Sequence, residues 1–162
     1  MKFSEIVENL SADMEQVEEA IQDNFRSDVV LIPDVSGHLS NSGGKRVRPL
    51  LLLLASRACG YEGPRAITQS VVVEYIHTAT LLHDDVVDGA EVRRGNESAN
   101  SKWGNEASVL VGDFLFARSF SMMAKDGSSE ILQTMSDTCT LLSEGEVLQL
   151  VNMYNVRITE EE

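Results

Sequence analysis

Three aspartates close an otherwise apolar stretch, Leu81-Leu82-His83-Asp84-Asp85-Val86-Val87-Asp88. On an α-helix of about 3.6 residues per turn, Asp84 and Asp88 project from one face, one turn apart, with Asp85 to one side. His77 stands seven positions before Asp84, two turns down the same stripe. Carboxylates at i and i+4 repel unless a cation lies between them, and an Asp near a helix C-terminus opposes the helix dipole. Hard oxygen ligands of this kind suit Mg²⁺, which takes one or two carboxylates and completes its shell with water and substrate phosphate oxygens. A merely solvated helix end would scatter its acids among polar residues. Here Thr78-Ala79-Thr80-Leu81-Leu82 precede them and Val86-Val87 separate them.

A second group has the opposite sign. Gly43-Gly44-Lys45-Arg46-Val47-Arg48-Pro49 places three cations in four residues, where a glycine turn meets the start of a helix. Side-chain cations and free N–H groups together make an anion site. It is not a phosphate-binding P-loop: that pattern needs Gly where Leu39 stands and Ser or Thr where Arg46 stands. Arg93-Arg94-Gly95 follows five residues beyond Asp88, and paired arginines on a turn can grip a phosphate bidentately. Acids, basic clusters and a histidine on the acid stripe together fit metal-assisted chemistry on diphosphates.

These groups need a scaffold. The sequence of 162 residues is long enough to bury a real core. Its 43% apolar and 24% charged residues read as globular. Thirteen basic against 26 acidic residues give a net charge of −13, which argues against a nucleic-acid partner. The segment Lys45 to Arg65 is the exception, with five basic residues and one acid. The longest apolar run, Leu50 to Ala55, is six residues, so no membrane span is expected. Cys59 and Cys139, without a CxxC pair, read as reduced thiols of a cytoplasmic protein.

Apolar residues recur at helical spacing, and prolines occur only at 33, 49 and 64, so the fold class is all-α. The pattern predicts a first helix over about 3–25, broken near Ser11, which would cap its second segment with Asp13 in the first turn. Further helices are predicted over about 28–40, 45–59, 66–88, 105–125 and 129–151. Asn41-Ser42-Gly43-Gly44 is a turn, 60–64 a loop and 89–104 a polar connection. His38 reads as a surface residue, His83 as packing beside the aspartates, and Tyr75 and Trp103 as core or dimer contacts.

The motifs together resemble the trans-isoprenyl diphosphate synthases, and in particular long-chain, octaprenyl-type polyprenyl synthases. The likeness rests on Gly-Gly-Lys-Arg-Val-Arg-Pro, His-Thr-Ala-Thr-Leu-Leu-His-Asp-Asp-Val-Val-Asp, Arg-Arg-Gly, Ser-Val-Leu-Val-Gly-Asp-Phe-Leu from Ser108 and Glu-Gly-Glu-Val-Leu-Gln-Leu from Glu144. The resemblance implies the helical bundle of the isoprenoid synthases. It implies head-to-tail condensation of isopentenyl diphosphate with an allylic prenyl diphosphate, which ionises to a carbocation that the isopentenyl double bond attacks. Asp84, Asp85 and Asp88 then form the catalytic motif, with Asp84 and Asp88 as Mg²⁺ ligands. Lys45, Arg48, His77 and Arg94 match positions that hold isopentenyl diphosphate, and Arg93 one that contacts the allylic diphosphate. Thr80 and Ala79, four and five residues before the motif, are small and imply a long product; Phe116, Met122 or Met123 could floor the tunnel. Losing helices that would cover the core would also expose apolar surface, so a homodimer is expected.

Two other readings stay open. His83-Asp84 could be the doublet of an HD-type metal phosphohydrolase, which would need further histidine ligands from His38 and His77. The chain could also be a non-catalytic helical subunit of a prenyl synthase. The family fold is about twice as long, with a second aspartate-rich motif and a Lys-Thr site. The expectation is therefore an N-terminal half, inactive alone, whose Thr159-x-x-Glu162 looks like a capping box for a further helix.

Overall fold

The computed structural model describes residues 7–41 and 44–160. In chain order these form α1 (Ser11–Asn24), α2 (Leu31–Asn41), α3 (Val47–Ala58), α4 (Arg65–Val87), a hairpin of β1 (Val92–Arg93) and β2 (Asn96–Glu97), α5 (Ala99–Trp103), α6 (Asn105–Asp126) and α7 (Ser129–Asn152). The all-α expectation holds. Predicted positions 1–6, Ser42 and Gly43 of the turn cluster, and Glu161 and Glu162 of the capping box lie outside the described residues. The chain divides into two compact units, Met1–Asp126 and Gly127–Glu162.

In the first unit α4 is the central rod. It packs most extensively on α6, and on α1 and α3 from other sides. Twelve of its 23 residues are buried, including Val71, Val72, Tyr75, Ile76, Ala79 and Leu82. Of these, Val71, Tyr75, Ala79 and Leu82 join Leu10, Val17 and Ile21 before and along α1, Leu50 and Leu53 of α3, and Val111 and Leu115 of α6 in one core. Tyr75 is wholly buried and donates its hydroxyl to the Ile21 carbonyl at 2.6 Å; its ring stacks on Phe25 at 5.1 Å. Burial pushes its phenol well above the ordinary range. It is a core residue that ties α4 to α1.

Helices α4 and α6 come close because Gly112 has no side chain. A Cβ there would collide with the His83 imidazole, whose Nε2 lies 3.2 Å from the Val109 carbonyl and 3.4 Å from Asp113 Oδ1. Ser108 Oγ donates to the Leu82 carbonyl at 2.9 Å, so the two helices are also hydrogen-bonded. By length and composition α6 is apolar enough to cross a membrane, but Val111, Gly112, Leu115, Ser119 and Met123 are buried.

Three local expectations are corrected. The break in the first helix falls on Leu10, which stands at the N-cap of α1 with no side-chain cap. Leu10 leaves helical geometry, with φ −110° and ψ 7°, while its side chain is buried in the core, and Ser11 is the first helical residue. The polar connection 89–104, for which no element is predicted, holds the hairpin and α5. Its turn residues Arg94 and Gly95 both have positive φ, 53° and 82°, as a two-residue type I′ turn requires. His38 is not a free surface group: its Nε2 donates to the Glu97 carbonyl at 2.7 Å, and its ring meets Trp103 edge-on at 5.0 Å.

The second unit is α7 with the residues after it. Ser128 caps α7, its Oγ accepting from the Ile131 N–H at 3.3 Å. Cys59 and Cys139 are free thiols, as expected.

Candidate diphosphate and metal site

The residues expected to carry the chemistry gather on the open side of α4. Val73, His77, Thr80 and Asp84 are half-buried, and Asp88 is exposed, at helical spacing along one stripe. Asp88 follows the last residue of α4 but keeps helical angles, φ −80° and ψ −11°, and donates its N–H to the Asp84 carbonyl at 2.8 Å. The expected one-turn spacing of Asp84 and Asp88 is therefore what the backbone adopts. Ala79, by contrast, is 1% exposed and belongs to the core, so of the two small residues only Thr80 borders the stripe. Its hydroxyl bonds the His77 carbonyl at 2.8 Å.

Asp85 points away from this stripe. It is 1% exposed and grips Arg93, whose Nε donates to Oδ1 at 2.8 Å and Oδ2 at 2.9 Å while Nη2 reaches Oδ1 at 2.7 Å. A buried carboxylate needs such a partner. The hydrogen bond to Asp85, aided by the charges of Asp85, Asp84 and Asp88, raises the Arg93 pKa against the pull of burial. Asn100 closes the corner, donating to the Asp85 and Ala90 carbonyls at 3.1 and 3.0 Å. The middle aspartate thus ties the hairpin to the end of α4.

Among the described residues no three His, Cys, Asp or Glu side chains converge as a ready-made metal cage. Two carboxylates one turn apart fit an ion that draws its other ligands from water and phosphate, which is how Mg²⁺ is commonly held. Asp84 and Asp88 fit it; Asp85, committed to Arg93, does not.

A cleft of about 450 Å³ lies further down the stripe, lined by Gly44, Lys45, Arg46, Arg48, Glu74, His77 and Arg94. Every residue expected to hold isopentenyl diphosphate, Lys45, Arg48, His77 and Arg94, is on its wall. Lys45, Arg48 and Arg94 are exposed to solvent and make no ion pair among the described residues. His77 is pushed down to about 4 by burial first, then by the positive charges of Arg48, Arg94 and Arg93. It is neutral at pH 7 and offers hydrogen bonds without charge.

The sequence did not reveal what Arg46 does. It sits among the cleft cations but turns to Glu18, Glu74 and Ser40. The signal was Glu74, a lone acid in Val71-Val72-Val73-Glu74-Tyr75-Ile76, since an acid in a buried helix needs a cation.

Comparison with known proteins agrees with this geometry. Residues 29–162 match the family model described as polyprenyl synthetase. The chain is 48% identical to the octaprenyl diphosphate synthase of Escherichia coli over 161 residues, 99% of this chain and 50% of that protein. It is 37% identical to heptaprenyl diphosphate synthase component 2 of Geobacillus stearothermophilus over 95% of this chain and 48% of that one. The crystal structure of a decaprenyl diphosphate synthase from Rhodobacter capsulatus superposes with a TM-score of 0.94 at 45% identity, covering 98% of this chain and 49% of that chain. A polyprenyl synthase from Caulobacter crescentus, crystallised with calcium and isoprenyl diphosphate, matches at 0.94 and 42% over 99% and 49%. The chain spans about half the length of the relatives it matches. The family model covers most of the chain and solved polyprenyl synthases share its fold, so the chain belongs to the polyprenyl synthetases.

Proposed function

We propose that this chain carries the diphosphate-binding wall of a trans-polyprenyl diphosphate synthase, which adds isopentenyl diphosphate head-to-tail to an allylic diphosphate and makes a long, octaprenyl-like chain. The observation that carries the reading is the gathering of Lys45, Arg48, His77 and Arg94 around one cleft, on the helix face that ends in Asp84 and Asp88. In this reading Lys45, Arg48 and Arg94 bind the isopentenyl diphosphate, and His77 hydrogen-bonds it as a neutral ring. Asp84 and Asp88 hold Mg²⁺, which when bound neutralises charge building on the departing diphosphate. Arg93 spends Nε and Nη2 on Asp85 and keeps Nη1 for the allylic diphosphate. The small side chain of Thr80 leaves the stripe unobstructed for a growing tail, and the small, buried Ala79 keeps the core beside it slim. The relatives bearing such names, and the calcium and isoprenyl diphosphate of the Caulobacter protein, support the assignment.

We further place the protein in the cytoplasm as a homodimer, with α6 as a core helix. Condensation is expected only when residues matching the remaining half of the relatives are present; diphosphate binding is expected of this chain itself. The HD-hydrolase reading loses its ligands, because His38 is engaged with Glu97 and Trp103 and His77 lines a cationic cleft. The test is calorimetric titration of an allylic diphosphate with Mg²⁺. Asp84→Ala and Asp88→Ala should each abolish the Mg²⁺-dependent heat, and undiminished binding by both would refute the metal assignment.

A further inference from the structure

Arg46 is the least available cation in the cleft. Its Nε and Nη2 form a fork on Glu18, at 2.9 and 3.0 Å. Its Nη1 donates to Glu74 Oε1 at 3.0 Å, and Nη2 also reaches Ser40 Oγ at 2.7 Å and the Ser40 carbonyl at 3.3 Å. Two carboxylates face one guanidinium, so Arg46 offers an incoming anion no net positive charge. The Arg46 side chain is 15% exposed and that of Glu74 9%, whereas that of Glu18 is 44% exposed.

The backbone at Arg46 is equally committed. Its φ of 48° lies in the left-handed region, an unfavourable choice for a residue with a Cβ. Such a conformation persists when its surroundings over-determine it. Arg46 is the N-cap of α3, without a side-chain cap, and its carbonyl accepts the Leu50 N–H at 3.1 Å. Lys45 is the residue before it and Arg48 the second residue of α3, so the angle at Arg46 sets how both leave the backbone. Gly44 is part of the same arrangement. A Cβ there would lie 3.2 Å from Arg46 Nη1 and 3.4 Å from Arg94 Nη1, so both guanidiniums approach the glycine closely.

We propose that Arg46 is a positioning residue for the diphosphate cleft: clamped by Glu18 on α1, Ser40 on α2 and Glu74 on α4, it fixes the left-handed turn that presents Lys45 and Arg48 beside Arg94. This inference rests on the reading of the cleft given above. It makes a prediction opposite to that of simple charge. Glu74 is an acid on the wall of an anion site, so removing its charge should tighten anion binding if it only repels. If it acts through Arg46, removing it should weaken binding.

The experiment is calorimetric titration of the 162-residue chain with inorganic pyrophosphate, without divalent cation so that Asp84 and Asp88 cannot recruit it. Glu74→Gln and Arg46→Lys should each weaken binding about tenfold, since Lys keeps the charge but cannot span both carboxylates. Pyrophosphate binding that appears only on adding Mg²⁺ should stay as in the parent chain. Breaking one partner of a buried pair can prevent folding. Glu18→Gln, at the more exposed carboxylate, therefore carries the same test with a smaller loss, and far-UV circular dichroism checks the fold. Equal or tighter binding by folded Glu74→Gln, or unchanged binding by folded Glu18→Gln and Arg46→Lys, overturns the positioning role. Parallel loss of the Mg²⁺-dependent binding overturns it too, in favour of general disruption. Lys45→Ala is the control for the reading beneath: if it binds as the parent does, or the parent does not bind, the cleft assignment falls and the inference with it.

Discussion

Single side chains here have roles set by what they touch more than by their type. Asp84, Asp85 and Asp88 are alike in sequence, yet Asp85 is buried on Arg93 while Asp84 and Asp88 lie along the open stripe. His77 has the clearest pH signature. Its folded pKa of about 4 lies below the ordinary histidine value of 6.5. Between these limits the unfolded chain binds the proton and the folded chain does not, so folding stability falls as pH drops from about 6.5 towards about 4. Stability is unaffected by this group above that window. Chemical denaturation at pH 7 and pH 5 should show a loss that His77→Gln reduces; an identical loss in both would show that His77 is not its source. Glu18 acts in the same direction at lower pH, because its hydrogen bonds to Arg46 hold it below the usual carboxylate range against the pull of burial. A bound diphosphate should move the His77 titration upwards, which its ring proton resonances in NMR would report.

At the scale of elements, helices of eleven residues or more were legible, while the five-residue α5 and the hairpin were not. The predicted 66–88 and 105–125 differ by one residue or less at each end from Arg65–Val87 and Asn105–Asp126, because apolar spacing over six turns leaves little ambiguity. The hairpin offers two residues per strand and an Arg-Gly turn in place of Asn-Gly, so it carries almost no pattern. What holds it is tertiary: Arg93 on Asp85 and the Glu97 carbonyl on His38. The cleft was legible because Lys45, Arg48 and Arg94 are exposed groups that make no ion pair among the described residues. Arg46 was not, since its partners Glu18 and Glu74 stand 28 residues away on either side. The hairpin also bears strain at a residue of the proposed site, with Arg94 at φ 53°. Arg94→Ala and Arg94→Gly should weaken pyrophosphate binding alike, since both remove the guanidinium. Arg94→Gly should nevertheless unfold later than Arg94→Ala by about 1 kcal/mol, because glycine accepts a positive φ without penalty. Equal thermal midpoints for the two would mean that the turn relaxes instead of storing strain.

The whole molecule presents an apparent contradiction: a chain of net charge −13 with a cleft proposed to bind an anion. The resolution is distance. Lys45, Arg48 and Arg94 touch the cleft, with Arg46 cancelled by its two carboxylates, while most of the 26 acids lie elsewhere. The Debye length is about 30 Å at 0.01 M salt and about 8 Å at 0.15 M. Added salt therefore removes the long-range repulsion from the acidic surface before it weakens the contacts made inside the cleft. A basic patch on a basic protein would lose association rate steadily as salt rises. Here the rate of pyrophosphate association should hold level or increase between 0.01 and 0.15 M salt, with affinity declining only at higher ionic strength. Stopped-flow measurement across that range decides it: a steep monotonic fall from the lowest salt would mean that the cationic cleft governs the field well beyond its own walls, and that the acidic remainder of the molecule has no part in how the substrate arrives.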